Sequence, residues 1–378
     1  MTLFPRKKPP LAELSPRRVC LIKPSALGDI VQTLPVLSML RARFPEAHIA
    51  WVVKSAFSGI LKGHPDLDEV IPFETSRVKT PRAETRHNET RHAETSSRAG
   101  GKIAGLVQLL RRLRRERFDL TIDLQGLLRS GLMTWAAAAP RRVGFANARE
   151  GAPWTYTDKF DVPIMQPALE RYRQIVAPLG CQGEPPRAIV PITDDDRRWA
   201  AQRLDGLPRP LLAIHPGAQW ETKRWPPQHF AELARRAQDA FGAGVVLVGG
   251  KGEGALAAQT ADTLEDPFAN VAEQTSLLQL AAVCESADVF LSGDTGPMHL
   301  AAAVGATAVA VFTCTSPRRA APRGPQHEVV TTSVACAASY LKKCRRRICM
   351  EELSPERVWP ALERALESAV ERRRKQAG

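Results

Sequence analysis

The sequence predicts an α/β protein made of two facing, doubly wound, Rossmann-like halves. Three observations predict it. Short apolar runs alternate with helix-periodic segments throughout the 378 residues, the pattern of parallel sheets with crossover helices. Residues able to do chemistry gather in small-residue loops directly after those runs, where the carboxyl strand ends of such sheets meet a ligand crevice. A stretch rich in Pro, Asp and Arg separates the halves. The expected divisions are a disordered tail over 1–16, an N-terminal domain over 17–190, a linker over 191–208, a C-terminal domain over 209–355, and a terminal helix and tail over 356–378.

Val19 to Ile22 is a buried strand that breaks at Lys23, Pro24, Ser25, Ala26, Leu27, Gly28 and Asp29. One helix then runs from Ile30 to Phe44, with Leu34, Leu37 and Leu40 on a single face. Ile49 to Val53 and Val70 to Pro72 read as strands. Thr75 to Gly101, with its near-repeat of Glu-Thr-Arg-His, is too polar to bury a core and reads as a surface insertion; its His87 and His92 carry no metal expectation. Helical spacing resumes at Ile103, Leu106, Val107, Leu110 and Leu113, followed by a strand at Phe118 to Leu124 and a loop holding Asp123, Gln125, Gly126 and Arg129. Asp194, Asp195 and Asp196 contain a D-x-D spacing but precede the helical pattern Arg197 to Leu204, so they read as an acidic helix start and no metal is expected. The second half repeats the scheme. Its strands are Leu211 to Ile214, Val245 to Val248, Val289 to Ser292 and Ala308 to Phe312; its helices are Pro226 to Phe241, Glu253 to Leu264, Leu277 to Ser286 and Met298 to Val304.

Hydrophobic content of 44% and charged content of 25% are those of a globular protein in water. No apolar run reaches the roughly 18 residues of a membrane span, and the opening MTLFPRKKPPLAELSPRR has no continuous apolar core of a secretory signal. A cytoplasmic protein is expected. The net charge of +13 calls for an acidic partner: nucleic acid, an anionic membrane or a phosphorylated substrate. With three Tyr and no basic patch interleaved with aromatics, nucleic acid is not expected. Seven Cys is an odd number; Cys20, Cys181, Cys284 and Cys314 sit in apolar or helical contexts and read as reduced buried thiols, while Cys336, Cys344 and Cys349 cluster among cations without the paired spacing of a zinc site, so a structural or incidental role is expected of them. Oligomeric state is not legible.

Three loops carry the chemistry. Asp29 stands at a helix start beside Ser25 and Gly28, where a carboxylate caps the helix or serves as general base toward a substrate hydroxyl. His215, Pro216, Gly217, Ala218, then Thr222, Lys223, Arg224, Trp225 and Pro226 lead from a strand into a helix. A cation there neutralises charge developing on a departing diphosphate. Gly293, Asp294, Thr295, Gly296, Pro297, Met298 and His299 open a small-residue helix whose free N–H groups suit a phosphate. In the Gly-rich loop Gly249 to Gly254, Glu253 is a candidate acceptor for a ribose hydroxyl.

The Lys-Pro-Ser-Ala-Leu-Gly-Asp start, the His-Pro-Gly-Ala…Thr-Lys-Arg-Trp-Pro loop and the Asp-Thr-Gly-Pro-Met-His segment, in that order, resemble glycosyltransferase family 9, the ADP-heptose:lipopolysaccharide heptosyltransferases. The resemblance runs from about Val19 to Trp359. Gly144 to Tyr156, with Ala148, Arg149, Glu150 and Gly151, is similar to the acceptor-side loop of heptosyltransferase I. Pro167, Ala168, Leu169, Glu170 and Arg171 depart from that type's pattern, as does the insertion. The resemblance implies a GT-B fold, inversion at the anomeric carbon and no metal or cofactor. It implies Asp29 as general base and Lys223 at the diphosphate. Around the ADP-heptose donor it places Asp294, Thr295, Gly296 and His299, joined by Thr222 and Glu253 from their loops. Ser25, Gly28, Gln125, Arg129 and Arg149 fall on the side of an anionic Kdo-lipid A acceptor, at the cytoplasmic face of the inner membrane. Heptosyltransferase II, another sugar specificity, a sugar-nucleotide epimerase, or a non-catalytic basic binding protein on the same fold are the alternatives.

Overall fold

A computed structural model gives the structure of the protein, describing residues 9–74, 93–264 and 267–377, the side chains of 93–103 and 377 excepted. The first sheet contains β1 (Arg18–Ile22), β2 (His48–Lys54), β3 (Glu69–Phe73), β4 (Leu120–Asp123), β5 (Arg141–Phe145) and β6 (Asp158–Phe160). Its connections carry α1 (Leu27–Val31), α2 (Leu34–Arg43), α3 (Ala93–Arg115) and α4 (Leu128–Ala137), and α5 (Ala168–Val176) follows the last strand. The second sheet is preceded by α6 (Asp194–Leu204) and contains β7 (Leu211–His215), β8 (Gly244–Leu247), β9 (Phe268–Asn270), β10 (Val289–Gly293), β11 (Thr307–Phe312) and β12 (Glu328–Thr331). Between and after these strands lie α7 (Pro227–Phe241), α8 (Gly254–Ala261), α9 (Leu277–Ser286), α10 (Gly296–Val304), α11 (Pro317–Ala320), α12 (Ile348–Glu352) and α13 (Pro355–Ala377).

Both sheets are parallel throughout, in the orders β3-β2-β1-β4-β5-β6 and β12-β11-β10-β7-β8-β9. Read from its own first strand, each sheet has the same doubly wound order. Each therefore reverses direction once, between β1 and β4 in the first sheet and between β7 and β10 in the second, and a ligand crevice opens at such a switch point. Strands covered on both faces need continuous apolar runs, which is why Val19 to Ile22 and Leu211 to Ile214 are wholly buried. The second core joins β7, β8, β10 and β11 to α7 and to α13 through Val358, Leu362, Ala365, Leu366 and Ala369. Trp225 anchors it, fully enclosed, edge-on to Phe230 at 4.8 Å and donating from Nε1 to the Leu353 carbonyl at 2.7 Å.

The described chain folds as two compact units. One holds the residues up to Ser25, Pro35–Pro163 and Leu169–Pro186; the other holds Ala26–Leu34, Ile164–Ala168 and the chain from Arg187. Several sequence expectations are corrected here. The single helix Ile30 to Phe44 is two, because Thr33 donates from Oγ1 to the Asp29 carbonyl at 2.7 Å and closes α1, and Pro35 sits in the first turn of α2. Of the tail expected to be disordered, Leu11–Glu13 is a 3₁₀ turn held by Arg43, which donates to the Ala12 carbonyl at 2.6 Å and to that of Leu14 at 3.3 Å. Residues 1–8 lie outside the described residues. So do 75–92 of the expected insertion, with His87 and His92, while Ala93 onward is helical and shortens the insertion at its end. Within the expected linker, the helical pattern read at Arg197 to Leu204 is α6, which starts at Asp194, and the terminal helix begins at Pro355.

Candidate active site

The switch point of the second sheet lies between the carboxyl ends of β7 and β10, and the predicted donor residues converge there. His215, the last residue of β7, is buried; its Nδ1 lies 3.3 Å from Thr295 Oγ1 and its Nε2 3.0 Å from Glu253 Oε2. Burial pushes the Glu253 carboxyl up, but the His215 hydrogen bond and the Gly250 N–H at 2.7 Å outweigh it, so the carboxyl is held below its usual range. A Cβ on Gly217 would run into that carboxyl group. A side chain at 217 would have to push that carboxyl off its His215 and Gly250 partners.

Lys223 closes the 3₁₀ turn Glu221–Lys223 and reaches Asp294 Oδ2 with Nζ at 2.6 Å; Thr315 Oγ1 donates to the same oxygen at 2.6 Å. Its Nζ also lies over the Trp220 ring, 4.8 Å from the centroid. Arg224 does not join this pair: it donates from Nε to the Ala218 carbonyl at 2.8 Å, and its charge acts on Glu253 instead. The Thr222 hydroxyl is committed to the Leu341 carbonyl at 2.5 Å and receives Cys314 Sγ at 3.3 Å, and its carbonyl accepts from Thr313 Oγ1 at 2.6 Å, so Thr222 braces the loop.

Asp29, although it follows β1, belongs to the second unit. The short α1 packs on α10. A Cβ on Gly28 would strike the His299 ring, and one on Gly296 would meet Leu27 Cβ at 2.8 Å. Both glycines thus have a packing reason for being small, besides the ligand contact expected of them. Asp29 Oδ2 accepts from the Ala26 N–H at 3.3 Å, the capping bond foreseen as its plainer role. His299, behind it, is pushed below the ordinary histidine value chiefly by burial, with the charges of Asp294 and Asp29 pulling the other way.

In the first unit, the switch point between β1 and β4 carries Ser25 and the 123–129 loop. Asp123 shapes this loop from inside: wholly buried, it accepts from Tyr156 Oη at 2.6 Å, Gln125 N at 2.8 Å and Gly126 N at 3.1 Å. Burial raises its carboxyl above the usual range in spite of those donors. Gln125 Oε1 is enclosed with no hydrogen-bond partner among the described residues. Arg129 and Arg149 are exposed, and Arg149 N–H ties its loop to the Gly126 carbonyl at 3.0 Å. Half-buried Lys54 falls below the usual lysine value through burial and then through the Arg129 charge.

Sequence reasoning missed Lys54, His215 as a link between two site residues, Thr315 and Trp220. His215 carried a signal, as a polar residue ending an apolar strand. The others become visible only when distant loops meet. The acidic helix start is as expected: Asp196 Oδ2 accepts from the Thr193 hydroxyl at 2.6 Å, Asp194 lies 3.6 Å from Arg197, and Asp195 pairs with Arg198.

Three imidazoles, the buried His299 and the half-buried His229 and His327, are each pushed below the ordinary 6.5, desolvation being the main cause. Below that value the unfolded chain binds more protons than the folded one, so stability is fully present above pH 6.5 and is lost as pH falls through the depressed folded values. The melting temperature is therefore expected to drop by several degrees from about pH 7.5 to about pH 5.5. A flat profile over that range would show that these rings take up their protons without penalty.

The chain is similar to known proteins along most of its length. It is 30% identical to lipopolysaccharide heptosyltransferase 1 of Pseudomonas aeruginosa, over 92% of this chain and 98% of that one. The structure of E. coli ADP-heptose lps heptosyltransferase II matches with a TM-score of 0.72 at 22% identity, over 93% of this chain and 99% of that one. E. coli heptosyltransferase WaaC with ADP matches with a TM-score of 0.70 at 24% identity, over 92% and 99%. The two parallel sheets are those of the GT-B fold these structures share. Residues 106–349 match glycosyltransferase family 9 (heptosyltransferase), and with that match across the β7 and β10 loops the chain belongs to this family, as a heptosyltransferase of lipopolysaccharide core biosynthesis.

Proposed function

We propose that the enzyme transfers a heptose from ADP-heptose to a Kdo-bearing lipid A acceptor, with inversion and without a metal, in the manner of the type I enzymes. The observation that carries this is the cluster of Lys223, Asp294 and Thr315 beside the amino end of α10, with the Asp29-bearing α1 packed on that same helix. Asp29 takes the proton of the acceptor hydroxyl as its oxygen bonds to the anomeric carbon, and the bond from that carbon to the diphosphate breaks on the opposite side. The electron pair leaves on ADP, where Lys223 and the N–H groups near Thr295 bear the charge. Glu253 Oε1 accepts from a ribose hydroxyl. On the acceptor side, Ser25, Gln125, Lys54, Arg129 and Arg149 hold the anionic groups of the sugar and lipid. Identity to the P. aeruginosa heptosyltransferase 1 over nearly the whole chain supports type I.

The test is a panel of nucleotide sugars with Kdo-lipid A, reading release of the nucleoside diphosphate. ADP-heptose is expected to be turned over well above the rest, and unchanged turnover in EDTA is expected because the D-x-D carboxylates are spent on α6. Turnover of a different donor, with Kdo-lipid A or only with an already heptosylated acceptor, would assign another specificity. Recovery of activity by Mg²⁺ after chelation would overturn the metal-free reading.

The acceptor is a lipid, and we place the enzyme at an anionic membrane surface. No described helix is long and apolar enough to cross a membrane. On α4, however, Leu128, Leu132 and Trp135 recur at helical spacing and stand 48%, 37% and 65% exposed, and Trp154 is 90% exposed. Tryptophans beside arginines suit a headgroup layer. Cosedimentation with anionic vesicles is expected and should fall sharply in a Trp135→Ser, Trp154→Ser double variant; equal binding by that variant would move the contact elsewhere.

A further inference from the structure

Lys223 is paired with Asp294 at 2.6 Å, which offsets part of the charge it offers to an incoming diphosphate. A diphosphate carries more than one negative charge, so a second cation has a place beside it. A second ammonium lies over the same indole: Lys342 Nζ is 5.3 Å from the Trp220 centroid, against 4.8 Å for Lys223 Nζ. The two cations are thus no further apart than those two distances laid end to end. Unlike Lys223, Lys342 has no carboxylate partner among the described residues and is exposed. Two like charges on one ring repel each other, and a bound polyanion relieves that repulsion.

The segment bearing Lys342 is fixed in place. The Leu341 carbonyl accepts from Thr222 Oγ1 at 2.5 Å, which latches the residue before Lys342 onto the residue before Lys223. Tyr340 N–H donates to the Cys314 carbonyl at 2.8 Å, and Arg347 pairs with Glu221 on the far side. Ala338 and Tyr340 both hold φ at 57°, a left-handed backbone that residues with a Cβ adopt at a cost. A strained strap latched at the Lys223 turn serves to position what it carries.

We propose that Lys342 binds the terminal phosphate of the nucleoside diphosphate, completing with Lys223 a two-cation seat around Trp220. This rests on the donor site proposed above. The test titrates ADP and AMP into the full-length protein by calorimetry, for wild type, Lys342→Ala, Lys342→Arg, Lys343→Ala and Lys223→Ala. Lys342→Ala is expected to weaken ADP about tenfold, the effect of one charge-assisted contact, and AMP hardly at all. Lys342→Arg should recover most of the loss, and the neighbouring Lys343→Ala should match wild type. ADP binding unchanged in Lys342→Ala but weakened in Lys223→Ala would overturn the role of Lys342 and leave the donor site standing. Equal weakening of ADP and AMP would also overturn it, as a general field effect. Failure of wild type to bind ADP would remove the donor site itself, and this inference with it.

Discussion

Asp29→Asn is expected to lower turnover by about a hundred- to ten-thousandfold, the usual contribution of a general base, while leaving ADP affinity and the fold in place. The amide keeps the size of the carboxylate and an oxygen able to accept from the Ala26 N–H, which Asp29 Oδ2 now does at 3.3 Å. The α1 turn should therefore survive. What the amide lacks is a lone pair basic enough to receive the acceptor proton. The competing account makes Asp29 a cap and nothing else. Melting temperature and turnover measured on the same sample separate the two: near-normal turnover with a lowered melting temperature would leave only the cap.

The second large effect is expected from Lys223→Ala, which should cut kcat by about a hundred- to thousandfold, in the range of other lost oxyanion-type contacts. Its attraction grows as the leaving diphosphate gains charge, so kcat should fall more than affinity for the intact ADP-sugar. The variant also leaves Asp294, 7% exposed, with Thr315 as its remaining side-chain donor among the described residues, so some loss of stability should accompany the kinetic defect. Arg224→Ala is the control, because its Nε donates to the Ala218 carbonyl rather than to Asp294. A larger kinetic defect in Arg224→Ala than in Lys223→Ala would reverse the assignment.

How much of this was legible depends on the range over which each feature is decided. The α9 helix was readable to the residue, because Ser276 caps it, Gln279 answers from the third position, and the apolar run ends at Ser286. The buried strands β7, β10 and β11 were readable from their apolar runs alone. The break between α1 and α2 was legible in Pro35, which the interior of one helix from Ile30 to Phe44 would not hold, but the apolar spacing continued by Leu34 concealed it. The ordering of Leu11–Glu13 depends on Arg43, thirty-one residues from Ala12. In the site, Asp294 and Lys223 were found separately as loop residues, but their ion pair spans 71 positions and Thr222 meets Leu341 across 119. Local pattern tells which loops carry chemistry, and only tertiary contact tells how they complete one another.

The close approach of α1 to α10 also constrains how this sequence can drift. Alanine at 28 has no room unless the imidazole at 299 shrinks or turns away, and alanine at 296 has none unless Leu27 is trimmed. Single steps at these positions pass through a clash, while paired steps do not. Positions 28 with 299, and 27 with 296, are therefore expected to be inherited as couples, each change at one licensed by a compensating change at the other.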